Sequence, residues 1–546
     1  MSQLFLIAIG GTGMRCLEAF THLCAIGMFD SKEIEILTLD TDETNGNKER
    51  TENLIRLYNR IKTSGANKGG NANSNTFFSA KLNLYRYWTD YSGLNRENYR
   101  NISKLDVGAP KEVEENKLLS DLFLDQSVQD FNLAHGYRAQ THLGSHLMYH
   151  GMLEAARSLA SGVDVKPQEQ DFEKFFTKLA NASSDARVFV FGSVFGGTGA
   201  SSIPIIPVAL NDAMRIRSGG KLSLDSGVKF GCTLLTEYFK FKAPDAQQMD
   251  SKDNAVIANS DYFSLNSQAA LQFYQNDPTV QSVYKIMYHV GWPIESKDFD
   301  DKKQSSKIST GGAEQKNPCH ITELICACAA YDFFTRDKGF DSSRTEVLYK
   351  AFEHSNSIFN FDFDDFVGSE KNAGKVFANR LGAFFALAHI ILSRNKAAKG
   401  DHGTLGFIKQ LNNQKIHDYD SLTEQEAKEI DEYMKVFAYD FSGNDFNKGW
   451  IYQVRGTINS GTFLFNNKAF SDNPGELDKL DVGALFLEDK YHWDKGGITS
   501  NRYDTFVKKL INEGRPTDNQ KVTTTKEKFL AHIYNAVTIS HKNLVS

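Results

Sequence analysis

Residues 4–13 read LFLIAIGGTG and residues 187–201 read RVFVFGSVFGGTGAS. Each carries an unbroken apolar run, 4–9 and 188–191, the pattern of a strand buried on both faces, and runs on into a glycine turn. After the first turn, Met14, Leu17, Ala19, Phe20 and Leu23 fall on the apolar side of an amphipathic helix. A second strand, Glu35 to Leu39, ends in Asp40-Thr41-Asp42. Strand, glycine turn, helix, strand, acid describes a βαβ unit with an anion site at its helix N-terminus. The second glycine turn, Gly196 to Gly199, also stands between a strand and a helix. In such loops the missing side chains let backbone N–H groups approach phosphate oxygens, and the helix dipole adds a favourable field. One loop alone could simply tighten packing. Two predict a polyphosphate gripped from two strand ends.

Working outward, 546 residues exceed one ordinary domain. Hydrophobic residues make up 40% and charged residues 24%, which excludes a collagen, a coiled-coil rod and a wholly disordered chain. A net charge of −6 argues against a general nucleic-acid coat, because phosphate neutralisation needs a basic excess. The longest apolar runs, such as LGAFFALAHIIL at 381–392, stop short of the roughly 18–20 residues of a membrane span. The start, MSQLFLIAIGGTG, lacks the basic flank and cleavage site of a signal peptide. Cys16, Cys24, Cys232, Cys319, Cys326 and Cys328 lie in apolar stretches without a C-x-x-C pair, and so read as reduced core thiols. The expectation is a cytoplasmic α/β protein with no transmembrane segment and no specific nucleic-acid partner.

The patterning divides the chain into a parallel-sheet nucleotide-binding domain over 1–316, a central buried core helix over 317–335, and a second α+β domain with C-terminal helices over 336–546. Within the first, 45–130 reads as an insertion with some helices, and SGANKGGNANSN at 64–75 is too polar to hold itself in order. ITELICACAAYDFF at 321–334 is apolar nearly all round, as a helix between two layers must be. Residues 451–465 read as strands, and 423–437, 503–513 and 525–540 as helices.

The first glycine loop fails the G-x-G-x-x-G pattern, because Cys16 stands at the third glycine, and no G-x-x-x-x-G-K-[ST] occurs. Instead the chain resembles the tubulin/FtsZ superfamily, in particular its divergent bacterial tubulin-like branch. GGTGAS at 196–201 is similar to that family's G-G-T-G-[SA]-G loop, Gly10 to Met14 to its first loop, and Asp40-Thr41-Asp42 to its strand-end N-T-D. RAQTHLG at 138–144 keeps the alanine and final glycine of its third loop. LNSQAAL at 265–271 resembles its N-x-x-L element, and NPCHITEL at 317–324 the N-P-x-H-x-x-E-L that opens its core helix.

The resemblance implies GTP or GDP with Mg²⁺ as ligand. Gly10, Gly11, Thr12, Gly13 and Met14, with Gly196, Gly197, Thr198, Gly199, Ala200 and Ser201, would surround the phosphates, together with Asp40, Arg138, Ala139 and Gln140. It puts Asp42 near the phosphates or Mg²⁺, Glu237 near the ribose, His320 at the site, and Asn266 on the guanine edge. A helix cap is the plain alternative for Asn266. It also implies head-to-tail filaments of the chain with itself, and leaves room for an accessory or adaptor protein. GTP hydrolysis would use acids from the next subunit, and Asn360, Asp362 and Asp365 fit N-x-D-x-x-D. An aspartate-rich surface loop is the plain reading of that stretch, with Glu346 and Asp341 as spare acids. No protein metal site is expected, since His142, His146 and His150 share a helix face without a carboxylate or cysteine to complete a set. Two further readings remain: a non-hydrolysing GTP-binding scaffold of the same fold, and a Rossmann-type dinucleotide-binding enzyme with Asp40 on a ribose hydroxyl.

Overall fold

The computed structural model describes residues 3–63, 70–91, 95–134, 136–182, 186–224, 227–239, 258–292, 312–313, 315–336, 340, 345–349, 373–398, 406–417, 419, 421–438, 449–456 and 503–538. Among the described residues, seven strands form one sheet: β1 (Leu4–Ile9), β2 (Glu33–Asp40), β3 (Lys81–Trp88), β4 (Arg187–Phe191), β5 (Lys229–Leu235), β6 (Tyr284–Val290) and β7 (Glu346–Tyr349). Their order is β3-β2-β1-β4-β5-β6-β7, and every pairing is parallel. The fold is thus α/β with a parallel sheet.

Helices cover both faces. α1 (Gly10–Ala25), α2 (Gly46–Lys62) and α8 (Ile321–Thr335) lie on one; α3 (Thr141–Ser161), α4 (Pro167–Ala180), α5 (Gly197–Ser202), α6 (Ile206–Ser218) and α7 (Phe263–Asn276) belong to the other. β1 shows why its sequence has no polar alternation. Leu4, Leu6 and Ala8 enter the first apolar cluster, Phe5, Ile7 and Ile9 the second, and all six are buried.

The expected insertion at 45–130 is corrected. Its first part is α2, and residues 81–88 are the edge strand β3, paired with β2 along its whole length. An edge strand buries its side chains only partly, so its polar residues hide the strand pattern. The glycine/asparagine stretch also contributes structure at its end. Asn73 is buried, donates to Lys521 O at 2.8 Å, and accepts from the buried Lys62 ammonium.

The second α+β domain is also corrected as far as it is described. Among the described residues after 349 there are helices and no strand, and 451–456, the described part of the 451–465 expected as strand, is helical. α9 (Ala373–Ala398), α10 (Glu424–Ala438) and α11 (Thr525–Val537) share the apolar cluster of α1 and α2. His22 of α1 packs its ring 4.5 Å from that of Trp450, and Phe437 lies 5.6 Å from His22. The six cysteines are buried and free. No helix among the described residues is long and apolar enough to cross a membrane.

Candidate functional site

β1 stands between β2 and β4, so successive crossovers leave it in opposite directions. A crevice opens at the C-terminal strand ends where this happens. Ala8 is in register with Phe191, so both glycine junctions leave the sheet side by side. α1 begins at Gly10 and α5 at Gly197, and neither N-terminus carries a side-chain cap. Among the described residues their first N–H groups therefore have no capping side chain. α2 differs: Asn45 caps it by accepting from the N–H groups of Asn47 and Lys48.

The cleft between the junctions is lined by Gly10, Gly11 and Thr12 on one side and by Gly196, Gly197, Thr198 and Gly199 on the other. Asp40, Asp42, Arg138 and Ala139 complete the part expected from the sequence. Gly10 has φ +64°, a conformation that glycine adopts without strain. Arg138 and Ala139 take the same left-handed region without being glycine, at φ +45° and +66°, which bends the 137–139 backbone against the second loop.

Several expected residues stand behind the wall. A Cβ on Gly13 would lie 2.7 Å from Phe191 O, so this glycine serves the close packing of α1 on the strand ends. Met14, Ala200 and Ser201 are buried; Ala200 O accepts from Tyr274, and Ser201 Oγ donates to Thr198 O. Gln140 sits at the N-terminus of α3. Asn266 turns its amide to Phe195 O at 3.4 Å, and Glu237 accepts from Ser267 Oγ at 2.6 Å. His320 caps α8 through Thr322 N–H, and burial holds its ring down at about 3. Asn360, Asp362 and Asp365, with Asp341, lie outside the described residues; Glu346 is in β7, at the sheet edge.

The cleft also holds residues the sequence did not announce. Phe195, Phe239 and Phe263 close its β4–β5 end, with ring centroids 4.8 Å (195–263) and 5.5 Å (195–239) apart. Phe195 directly precedes the second glycine loop, which was a usable signal; the other two had none. At the β1–β2 end stand Asn45 and Gln315.

Asp40, in the cleft wall, lies far from its ordinary state. Burial pushes its carboxyl up to about 7, against the nearby Lys48 ammonium and with the Asp42 charge adding to the rise. Its Oδ1 accepts from Thr41 N–H at 2.8 Å, whereas Oδ2 is buried with no hydrogen bond among the described residues. Between about pH 4 and 7 the folded chain thus keeps a proton that the unfolded chain has released. Stability from this group is complete below about pH 4 and falls by up to about 1.4 kcal/mol per unit until pH passes 7. Burial likewise pushes Lys48 down, against the pull of the Asp40 carboxylate. Asp40→Asn should remove that slope, so urea midpoints of the ligand-free variant should gain on the parent chain from pH 5 to 7.5. A constant difference would show that Asp40 is ionised throughout.

Beneath the cleft lies a buried charge cluster. Arg15, fully buried, binds Glu18 on its own helix and Glu323 on α8 at 3.2 Å. Arg50 of α2 reaches Glu18 at 2.9 Å, and Glu323 accepts from Tyr238 Oη at 2.8 Å and His320 N–H at 3.0 Å. Burial raises Glu18, but Arg15 and Arg50 outweigh it and bring the carboxyl to about 2. Glu323 stays raised, because burial there exceeds the pull of Arg15.

Elsewhere, a cavity of about 480 Å³ at the end of β3 is walled by charges that pair with each other, Arg96 with Glu154 and Lys166 with Asp90. His146 and His150 meet edge to face with ring centroids 4.5 Å apart on α3, and among the described residues no three His, Cys, Asp or Glu side chains gather as a metal-ligand group. No known family's model matches the chain, and no curated protein matches it.

Proposed function

We propose that the chain is a tubulin/FtsZ-like GTP-binding protein that assembles head-to-tail and hydrolyses GTP where two subunits meet. The observation that carries this reading is the pair of Gly-Gly-Thr-Gly junctions facing each other across one cleft, each opening an uncapped helix. Such a cleft offers main-chain donors to a polyphosphate from two sides. The three phenylalanines at its β4–β5 end supply flat apolar surface for a base. Asp40 Oδ2, buried in the wall without a hydrogen bond among the described residues, adds a polar group that a ligand would satisfy.

Guanine selectivity was expected from Asn266, but that side chain is turned to Phe195 O. Its amide thus stands at the aromatic end, where a base would lie. Mg²⁺ would arrive with the phosphates and neutralise their charge. Asp42 already accepts from Thr44 and from Gly312 N–H, so its oxygens are partly used. A Rossmann-type enzyme shares this strand order and would place Asp40 on a ribose. The second glycine loop in the same cleft weighs against it.

Identifying the nucleotide released on denaturing the purified protein tests the reading. GTP or GDP is expected; NAD would favour the dinucleotide enzyme, and no nucleotide together with no GTP binding would overturn both. If Asp362 and Asp365 act on a neighbour's nucleotide, the contact is heterologous and repeats into an open filament. GTP turnover per subunit should then rise with protein concentration, and concentration-independent turnover would place catalysis within one subunit. A non-hydrolysing scaffold would bind GTP with no turnover at any concentration.

A further inference from the structure

Gln315 reaches the cleft from a segment remote in sequence and is fixed there from several sides. Its N–H donates to Gly312 O at 3.1 Å, and Gly312 N–H in turn donates to Asp42 Oδ2 at 2.7 Å. Asn317 N–H donates to Asn47 Oδ1 at 3.0 Å, tying the same segment to the start of α2. The side-chain oxygen of Gln315 accepts from the amide of Asn45, whose own oxygen is engaged in capping α2. What Gln315 still offers is its NH2, which makes no hydrogen bond among the described residues. That amide lies over the first glycine loop: its oxygen is 3.1 Å from where a Cβ on Gly11 would stand.

The sheet order gives this position a meaning. The phenylalanine end of the cleft lies over β4 and β5, the second glycine loop follows β4, and Gly11, Asn45 and Gln315 lie toward β2. A nucleotide with its base at the aromatic end would run its phosphates along Gly196–Gly199 and finish at Gly11. The Gln315 amide, whose NH2 is unengaged among the described residues, lies next to the uncapped start of α1, and together they bring donors to bear on an anionic oxygen. We propose that the Gln315 amide contacts the outermost phosphate of a bound nucleoside triphosphate and so sets the preference for triphosphate over diphosphate. This rests on the nucleotide reading above.

The test is calorimetry on the full chain with Mg²⁺, using GDP and a non-hydrolysable GTP analogue. Gln315→Glu keeps an acceptor for Asn45 and so keeps the segment docked, but puts a negative charge where the NH2 was. Affinity for the triphosphate analogue should fall by at least about tenfold while GDP binding is little changed, since a hydrogen bond to a charged group is worth that much or more. Gln315→Ala should lose discrimination in the same direction by a smaller factor. Equal weakening of both ligands would overturn the proposal and make Gln315 a brace for the segment. Unchanged affinities would overturn it as well. If the parent chain binds neither nucleotide, the nucleotide reading itself fails and takes the inference with it, a result visible before any variant is made.

Discussion

Arg15→Met is expected to destabilise the chain by about 3–5 kcal/mol, the cost of stranding a buried charge. Two carboxylates, Glu18 and Glu323, face the Arg15 guanidinium in the interior, and neither can turn to solvent. With Arg15 gone, Arg50 still reaches Glu18, but among the described residues Glu323 keeps only neutral donors, Tyr238 Oη and His320 N–H. Glu323 already lies above its ordinary range because of burial, and losing its cation raises it further. A carboxyl raised in the folded state contributes most below its unfolded value and loses that contribution as pH climbs through the folded one. The variant should therefore suffer least near pH 4–5 and most above neutrality. Urea midpoints across that range measure the effect. Adding Glu323→Gln should recover most of the loss, since it removes the stranded charge while keeping an acceptor for Tyr238. A penalty below about 1 kcal/mol at pH 8 would show that water reaches the cluster.

Two neighbouring glycines should give opposite results when replaced by valine. From the sequence alone, Gly197→Val is the natural way to block a phosphate loop without unfolding the chain. The structure corrects that expectation, because a Cβ on Gly197 would lie 2.7 Å from Ala139 N and 3.2 Å from Ala139 Cα. Those are backbone atoms of the left-handed 138–139 turn and cannot swing aside, so this variant should lose stability by about 1–3 kcal/mol or more. Gly196 has an extended backbone, φ −90° and ψ 165°, which valine adopts readily. The nearest atom to a Cβ there is the small, rotatable Ser193 Oγ at 3.1 Å. Gly196→Val should therefore melt close to the parent temperature yet lose nucleotide binding by about a hundredfold or more, because a branched side chain would stand where phosphate must approach. Melting by circular dichroism beside binding of a fluorescent GTP derivative separates the two outcomes. Full binding in Gly196→Val would remove the second loop from the site.

The core of the sheet was legible because its residues do one thing. β1, β4 and β5 are buried on both faces, so their apolar runs have no competing reading. The same holds for α8, whose sides are buried nearly all round. The helix expected at 503–513 has those bounds, since its apolar spacing and polar flanks agree. β3 failed as a sequence reading for the opposite reason: at the edge, Asn83 and Arg86 belong to the strand as much as Leu82 and Tyr85 do. β7 has four residues, too few for any period to declare itself.

Local patterns in this chain determined which backbone could approach an anion, because glycine acts through what it lacks at its own position. They determined the first strand–turn–helix, its repetition, and the acidic end of β2. Tertiary structure alone decided which of these surfaces meet. Phe195, Phe239 and Phe263 come from three junctions, Gln315 stands 270 residues from the Asn45 it holds, and Arg15 finds Glu323 across 308. No short window records such pairs, since an aromatic, an amide or a buried charge has its meaning only from the partner opposite. The glycine loops could be read one at a time; the cleft between them exists only once β1 and β4 lie side by side.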